Sequence, residues 1–228
     1  MMMKKATKLF TKEEIISIEA AIAEVEKTTS AEVVPVVATT SGKYNRAEDL
    51  FAFFLSLLTL GSAWLWFQDV TPPTEAWVMT PGFRLNLPIV LLILVVTYFI
   101  GITLASHFPL LRLPLIGKAE LKKEVEHRAR ETFQRLKISD TKDATGILIY
   151  VSLYERMVRV IGDDTISAKL SQDDWNTLCE TIINGFKNGK QEEGMRKGIL
   201  SCGELLAKHF PIQPDDKNEL PNTLHLID

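Results

Sequence analysis

The acidic residues near one end of a predicted sheet have the clearest potential for chemistry. Asp163 and Asp164 directly follow an alternating apolar segment that predicts a strand, and Gly162 precedes them. Adjacent carboxylates and nearby loop carbonyls are the oxygen ligands that Ca²⁺ and Mg²⁺ prefer. Glu32 begins another predicted strand and joins the pair if the two strands lie side by side. We therefore predict a Ca²⁺ or Mg²⁺ site of Asp163, Asp164 and Glu32, against the alternative of a solvated acidic turn.

The sequence offers little else for catalysis. It contains no G-x-S-x-G, no H-E-x-x-H, no phosphate-binding loop and no EF-hand spacing. A phosphatase needs an aspartyl or cysteinyl nucleophile, or a metal cluster. Only the Asp163–Asp164 pair supplies part of such a site. The four histidines stand in no nucleophile motif, and they are His107, His127, His209 and His225.

Two apolar segments interrupt the chain that must position these carboxylates. Leu50–Phe67 and Leu87–Ala105 contain no Lys, Arg, Asp or Glu. Each is about long enough to cross a bilayer core of roughly 30 Å at about 1.5 Å per residue. We therefore predict a two-helix transmembrane hairpin inserted into a water-soluble domain, with the lipid bilayer as a partner.

The cations that flank the two segments predict the orientation of the hairpin. Lys43 and Arg46 precede the first segment, and Lys118 and Lys122 follow the second, whereas the loop at residues 68–86 carries only Arg84. Because short loops rich in Lys and Arg stay in the cytoplasm, the loop is expected outside and the soluble domain inside. The prediction is a multi-pass protein of the cytoplasmic (inner) membrane whose soluble domain faces the cytoplasm.

The composition of the chain limits the classes of partner and the compartment that we expect for it. The net charge of −3 lacks the basic footprint of a nucleic-acid-binding protein. Cys179 and Cys202 occupy apolar positions of helical patterns, so we expect buried, unpaired thiols that suit a reducing compartment. The N-terminal segment lacks the apolar core of a cleavable signal peptide, so the first span is expected to direct targeting.

The remaining pattern predicts the element order α, β, hairpin, α, β, β, α, α. Thr11 and Glu14 form a capping box for the first helix. Pro35 indicates an edge or a bulge in the first strand, and Gly146–Leu153 is apolar enough for a strand buried on both faces. We predict a three-layer α/β/α sandwich with a small mixed sheet. The predicted parts are a first domain segment at 1–49, the hairpin and interfacial segment at 50–116, a second domain segment at 117–211 and a polar tail at 212–228.

Finer features of the helices also follow from the sequence. The small residues Gly61-Ser62-Ala63 are expected to face the second span, and Gly101 and Ala105 form a further small pair four residues apart. Gly194 and Gly198 are expected to pack closely on the sheet. The helix after Gly117 carries charges of both signs, which indicates a solvated face or, near the inner leaflet, contact with anionic lipid.

Several segments, taken in order, resemble the TPM-domain family, also described as the TPM phosphatase domain. The resembling pieces are the helix beginning at Phe10, Thr29–Val34, Thr145–Ser152, Glu155–Val160, the helix from Trp175, Leu205–Pro211 and Asn218–Asn222. With its hairpin the chain is similar to a short bacterial, membrane-anchored subgroup. The resemblance implies an α/β/α sandwich, and its members include proteins with reported acid phosphatase activity, with calcium binding or with a membrane-receptor partner.

Three functional hypotheses remain open at this point. The first is a membrane-anchored interaction module that binds a membrane-protein partner, with or without a divalent cation. The second is a weak metal-dependent phosphatase that uses Asp163 and Asp164. The third is a structural subunit of a larger membrane complex.

Overall fold

A computed structural model describes residues 4–67, 86–141, 143–213 and 218–228. The predicted outer loop, with Trp77 and Arg84, lies outside the described residues except for Asn86. The chain divides into two compact units. One unit is Lys43–Gly117, and the other combines residues 4–42 with Lys118–Asp228.

The order of elements follows the predicted order, with a short helix added after the third strand and a short strand added at the end. In chain order the helices and strands are α1 Lys12–Glu26, β1 Glu32–Ala38, α2 Asn45–Phe67, α3 Leu87–His107, α4 Lys118–Arg135, β2 Gly146–Ser152, β3 Met157–Gly162, α5 Asp164–Ser167, α6 Gln172–Lys187, α7 Gln191–His209 and β4 His225–Ile227.

The strands in the described part of the chain form one mixed sheet with the order β3-β2-β1-β4. Strand β1 runs parallel to both β2 and β4, whereas β2 and β3 form an antiparallel hairpin. Strand β4 lies within the segment that the sequence analysis treats as a polar tail. Because β4 pairs only with residues 36–38 of β1, Pro35 stands just outside the part of β1 that is paired on both sides. Its missing N–H therefore breaks no ladder on the β4 side.

Alternate residues of the sheet belong to two different apolar clusters. Odd-numbered residues of β1 and β2 such as Val33 and Ile147 pack in a large cluster with α1, α6 and α7. Even-numbered residues such as Val34 and Leu148 pack in a smaller cluster with residues of α4. This division follows from the strand geometry, because successive side chains point to opposite faces.

Two helices, α1 and α6, begin with complete capping boxes. The Thr11 hydroxyl accepts from the backbone N–H of Glu14 at 3.2 Å, and the Glu14 carboxylate accepts from the N–H of Thr11 at 2.7 Å. Ser171 and Asp174 form the same pair of bonds at the start of α6. The predicted capping box of α1 is therefore confirmed.

The glycines of α7 pack against other helices, so their predicted contact with the sheet is wrong. A Cβ on Gly194 would lie 2.7 Å from the Cα of Gly185 in α6, and a Cβ on Gly198 would overlap the side chain of Ile182. The absence of side chains thus lets α6 and α7 approach closely. The apolar periodicity of α7 identifies its buried face but not the element that covers it.

In the other unit, α2 and α3 pack through small residues. A Cβ on Gly101 would lie 2.6 Å from the Cα of Ala52, and Ala105 is fully buried. The predicted contact of the Gly101–Ala105 pair is therefore confirmed. Gly61 has no neighbouring atom within 4 Å of an added Cβ, and Ser62 is exposed. The predicted role of the Gly61-Ser62-Ala63 cluster in this contact is wrong, because α2 turns a different face toward α3.

A charged pair lies at the end of this unit where α2 begins and α3 ends. Arg112 forms an ion pair with Glu48, and both side chains are largely buried, at 13% and 17% exposed. The guanidinium carbon of Arg112 lies 5.9 Å from the centre of the Tyr44 ring. Glu48 also accepts from the Ser106 hydroxyl at 3.2 Å. These polar contacts join the start of α2 to the end of α3 and the segment that follows it.

Candidate functional site

The predicted aspartates lie at the turn between β3 and the short helix α5. The Asp163 side chain caps α5 by accepting from the backbone N–H of Asp164 at 2.9 Å. Its Oδ2 atom is buried and has no hydrogen-bond partner among the described residues. Asp164 is exposed to solvent. The local structure is thus a helix-capping turn in which one buried carboxylate oxygen of Asp163 accepts no hydrogen bond from a described residue.

Glu32 lies at the same end of the sheet but on the far side of β2. It pairs in register with Gly146, and the backbone N–H of Asp163 donates to the carbonyl of that same glycine at 3.0 Å. Two strand spacings therefore separate Glu32 from Asp163, which is roughly 10 Å of sheet. Within the described ranges, no group of three or more Asp, Glu, His or Cys side chains is arranged to hold a metal ion. A metal site of Asp163, Asp164 and Glu32 stays a prediction.

The closest acidic neighbour of Glu32 is Glu26, the last residue of α1. The two side chains are close enough to share a hydrogen bond. Glu32 is only 6% exposed, and its Oε1 atom accepts from the backbone N–H of Glu219 at 2.9 Å. The Oε2 atoms of both glutamates are buried, and apart from a proton held between the two carboxyl groups they accept from no donor in the described part of the chain. We name Glu26 and Glu32 the glutamate pair.

Burial and mutual repulsion raise the pKa of both members of the glutamate pair. Burial is the largest cause, and it raises the pKa of Glu26 to about 8, with the charge of Glu32 adding to the effect. Burial likewise raises the pKa of Glu32, although backbone hydrogen bonds from Glu219 and Leu220 act against it. Near neutral pH the pair therefore holds a proton between its carboxyl groups.

The sequence analysis selected Glu32 but missed Glu26. One signal was present, because a carboxylate at the last position of a helix opposes the helix dipole. Glu26 occupies that position of α1, six residues before a strand of which every residue is buried. An acid at such a junction indicates a local partner that the apolar periodicity of the helix does not reveal.

A second polar cluster lies at the other end of β1 and β2, around Glu155 in the β2–β3 turn. The Glu155 carboxylate accepts from the backbone N–H groups of Ser41 and Gly42, at 2.9 and 3.3 Å, and from the hydroxyl of Ser152. The Ser41 hydroxyl in turn lies 2.7 Å from that of Ser152 and 3.2 Å from that of Tyr150. Glu155 is 5% exposed, and the hydrogen bonds from this loop stabilise its carboxylate inside the domain.

The histidines take no part in either acidic cluster. His107 and His209 are exposed at the last positions of α3 and α7, and His127 is exposed on α4. His225 lies in β4, where burial lowers its pKa. In the described ranges no hydrogen bond joins a histidine to a carboxylate. Cys179 and Cys202 are free thiols, and burial raises the pKa of Cys202 to about 12, which makes it a poor nucleophile.

The family comparison falls on the second half of the chain. Residues 118–205, from the start of α4 into α7, match the family model of the TPM domain. This part of the chain is therefore similar to a TPM domain. The resemblance predicted from the sequence is confirmed, and the compact unit that contains the matched segment also includes α1, β1 and β4.

A solved structure shows the same fold. The chain is similar to the NMR structure of BA42 protein from the psychrophilic bacterium Bizionia argentinensis, with a TM-score of 0.55 and 24% sequence identity. The similarity covers 95% of this chain and 94% of the BA42 chain. At this identity the comparison shows a shared fold alone. Among curated proteins, none matches the chain.

Proposed function

We propose that this protein is a membrane-anchored interaction module, in which a TPM domain held at the cytoplasmic side of the inner membrane binds a membrane-protein partner. In this proposal α2 and α3 form a transmembrane hairpin, and the TPM domain is a three-layer α/β/α sandwich. The glutamate pair is the most suitable place for a divalent cation, because both of its Oε2 atoms are buried without a partner among the described residues.

The apolar surface of α2 and α3 is the observation that carries this proposal. Both helices are long and apolar enough to cross a membrane, and few of the residues in their apolar windows are buried. Leu58, Trp66 and Phe99 are 68%, 85% and 63% exposed. A contiguous apolar surface of this kind is unfavourable in water and indicates a membrane or protein contact. Lipid contact around the hairpin would remove that cost.

Membrane association is tested by fractionating cells that express the full chain. We expect the chain in the high-speed pellet, resistant to alkaline carbonate and released by detergent. Full-length chain in the supernatant without detergent would contradict membrane anchoring.

Orientation is tested with single cysteines in a chain whose native Cys179 and Cys202 are replaced by alanine. A cysteine within residues 68–86 should react with an impermeant maleimide on intact cells, whereas one at Lys187 should react only after lysis. Labelling of the Lys187 position on intact cells would show that the domain faces outward.

The partner is tested by extracting the tagged chain from its own membrane at native abundance in a mild detergent. We expect to isolate a complex that contains a defined second membrane protein. The mass of this complex should exceed the mass of the chain in its micelle. Recovery of the chain alone, or only with copies of itself, would contradict a heterologous partner.

A weak metal-dependent phosphatase is the second candidate function, and the buried, unpartnered Oδ2 of Asp163 beside the exposed Asp164 is the observation that favours it. Hydrolysis of a generic phosphoester by the purified chain should then require Mg²⁺ or Ca²⁺. The activity should be lost on Asp163→Asn with Asp164→Asn. Activity that persists in this variant would arise from other residues.

A further inference from the structure

The cations of α4 differ in their partners along the helix. In its second half, Arg128 contacts Glu131 at 2.7 Å, and Arg130 contacts Glu126 at 3.0 Å. Glu126 also binds Arg159 of the neighbouring strand β3. The charges of Arg128 and Arg130 are therefore matched within the domain, whereas Arg135 at the end of the helix is exposed and forms no ion pair with a described residue.

The lysines at the start of α4 have no such partners. Lys118, Lys122 and Lys123 are exposed, and no ion pair or hydrogen bond of their side chains involves a described residue. Acidic residues are available nearby in sequence, since Glu120 and Glu124 belong to the same turns. The helix nevertheless leaves these three positive charges directed to solvent. We name Lys118, Lys122 and Lys123 the lysine cluster.

The positions of the lysine cluster work against the stability of the helix itself. Lys118 is the first residue of α4, where a positive charge opposes the helix dipole. Lys118 and Lys122 are four residues apart, so two like charges lie on neighbouring turns of one face. Residues that destabilise the helix or strand in which they stand are typical of functional positions. The lysine cluster is thus better explained by an anion outside the domain than by helix formation.

Chain connectivity indicates the source of that anion. Helix α3 ends at His107, and α4 begins at Lys118. Two single-turn 3₁₀ segments, Pro109–Leu111 and Leu113–Leu115, connect them, and Leu110 and Leu111 are exposed. The lysine cluster therefore begins 11 residues after the end of the apolar helix α3 and directly follows the apolar linker. Basic residues so close to a membrane span meet the anionic surface of the cytoplasmic leaflet.

We propose that the lysine cluster binds the phosphate headgroups of anionic phospholipids in the leaflet that faces the TPM domain. This inference rests on the proposed membrane anchoring and adds the class of lipid that the domain contacts. A nucleic acid is a poorer ligand, since the chain has a net charge of −3 and the cluster has only three cations. The contact orients the start of α4 toward the lipid surface.

Lipid selectivity of the reconstituted full chain tests this inference. The chain is placed in phosphatidylcholine vesicles with trace spin-labelled phosphatidylglycerol or spin-labelled phosphatidylcholine. Electron spin resonance then measures the fraction of each label that is immobilised at the protein. We expect phosphatidylglycerol to be favoured by about fivefold, the effect of one lysine at an anionic surface. This preference should fall in high salt.

Two matched variants assign the preference to particular residues. Lys118→Gln with Lys122→Gln and Lys123→Gln should bring the selectivity close to one. The control, Lys169→Gln with Lys187→Gln and Lys208→Gln, removes three exposed lysines elsewhere and should keep it. Thermal unfolding by circular dichroism should show the cluster variant at least as stable as wild type, because it relieves the repulsion within α4.

The possible outcomes separate this inference from the proposed anchoring. Immobilised lipid without selectivity in the wild-type chain would overturn the inference and leave the anchoring intact. Selectivity that survives in the cluster variant, or that falls equally in the control, would also overturn the inference. If no label is immobilised at all, the membrane anchoring itself fails.

Discussion

Replacing Gly194 by alanine should destabilise the TPM domain by forcing α6 and α7 apart. An added Cβ would lie 2.7 Å from the Cα of Gly185 and 3.2 Å from the carbonyl oxygen of Ile182. Ordinary van der Waals contacts of a Cβ begin at 3.4 Å. Both obstacles are backbone atoms, so no side-chain rotation removes the overlap. The helices have to separate by about 1 Å over the crossing, and the apolar contacts on either side loosen with them.

The expected magnitude is the difference between two opposing effects. Overpacking of a close-packed site costs about 1–3 kcal/mol, and a rigid obstacle places Gly194→Ala near the upper end. Alanine in the interior of a helix recovers about 1 kcal/mol relative to glycine. The net loss in the free energy of unfolding is therefore about 2 kcal/mol. For a chain of this size that lowers the melting temperature by about 4–8 °C.

The assay is urea and thermal unfolding of the full chain in detergent micelles. Circular dichroism follows all helices, and the fluorescence of Trp175 follows α6 when the other three tryptophans are replaced by phenylalanine. Gly198→Ala is the comparison variant, since its Cβ would meet only the Ile182 side chain, with Cγ1 at 2.4 Å and Cδ1 at 2.8 Å, and no backbone atom. That variant should lose less stability than Gly194→Ala, because a side chain can shift where two backbones cannot. If Gly194→Ala is as stable as wild type, the close crossing is not a constraint on the fold.

Three further predictions concern the acidic sites and the hairpin. The folded glutamate pair keeps a proton that the unfolded chain releases between about pH 4.5 and 8, so the free energy of unfolding should fall as pH rises through this range. The free energy of unfolding should fall by about 2 kcal/mol after allowance for solvent screening. Urea unfolding at pH 6 and at pH 9 measures this fall, which should be smaller in Glu26→Gln than in wild type. Glu155→Ala should cost about 1–3 kcal/mol, because it leaves half-buried donors of the loop at residues 40–42 unpaired. Hydrogen exchange of that loop should rise, and unchanged exchange would contradict the structure. In the hairpin, Gly101→Ala should weaken the contact with α2 by about 1–3 kcal/mol in SDS titration, whereas Gly61→Ala should not weaken it, and equal effects would show that Gly101 is not the contact.

The sequence predicts the elements whose signals are local. The capping boxes at Thr11 and Ser171, the long apolar helices and the strand at Gly146 each follow from residues within one or two turns of one another. The β2–β3 hairpin also follows, because only a short turn containing Glu155 connects two apolar segments. Such signals need no knowledge of the rest of the fold.

Features that depend on long-range pairing were missed. Strand β4 is three residues long, and only its pairing with β1 distinguishes it from a loop. The glutamate pair requires knowing that α1 ends where β1 begins and that residues 219–220 cover the junction. The partner of Gly194 is another glycine on a different helix. Composition and periodicity carry no information on these contacts, because each is set by the arrangement of whole elements.

The position of the apolar hairpin within the domain has a consequence for synthesis on the ribosome. Strand β1 emerges early, yet its neighbour β2 is made roughly a hundred residues later and β4 later still. At about 5–20 residues per second, a strand whose residues are all buried in the folded domain waits some seconds without either neighbour. During that time both apolar helices emerge. If they enter the bilayer as proposed, completion of the sheet follows insertion, and a delay at the translocon would leave β1 open to aggregation or to chaperones.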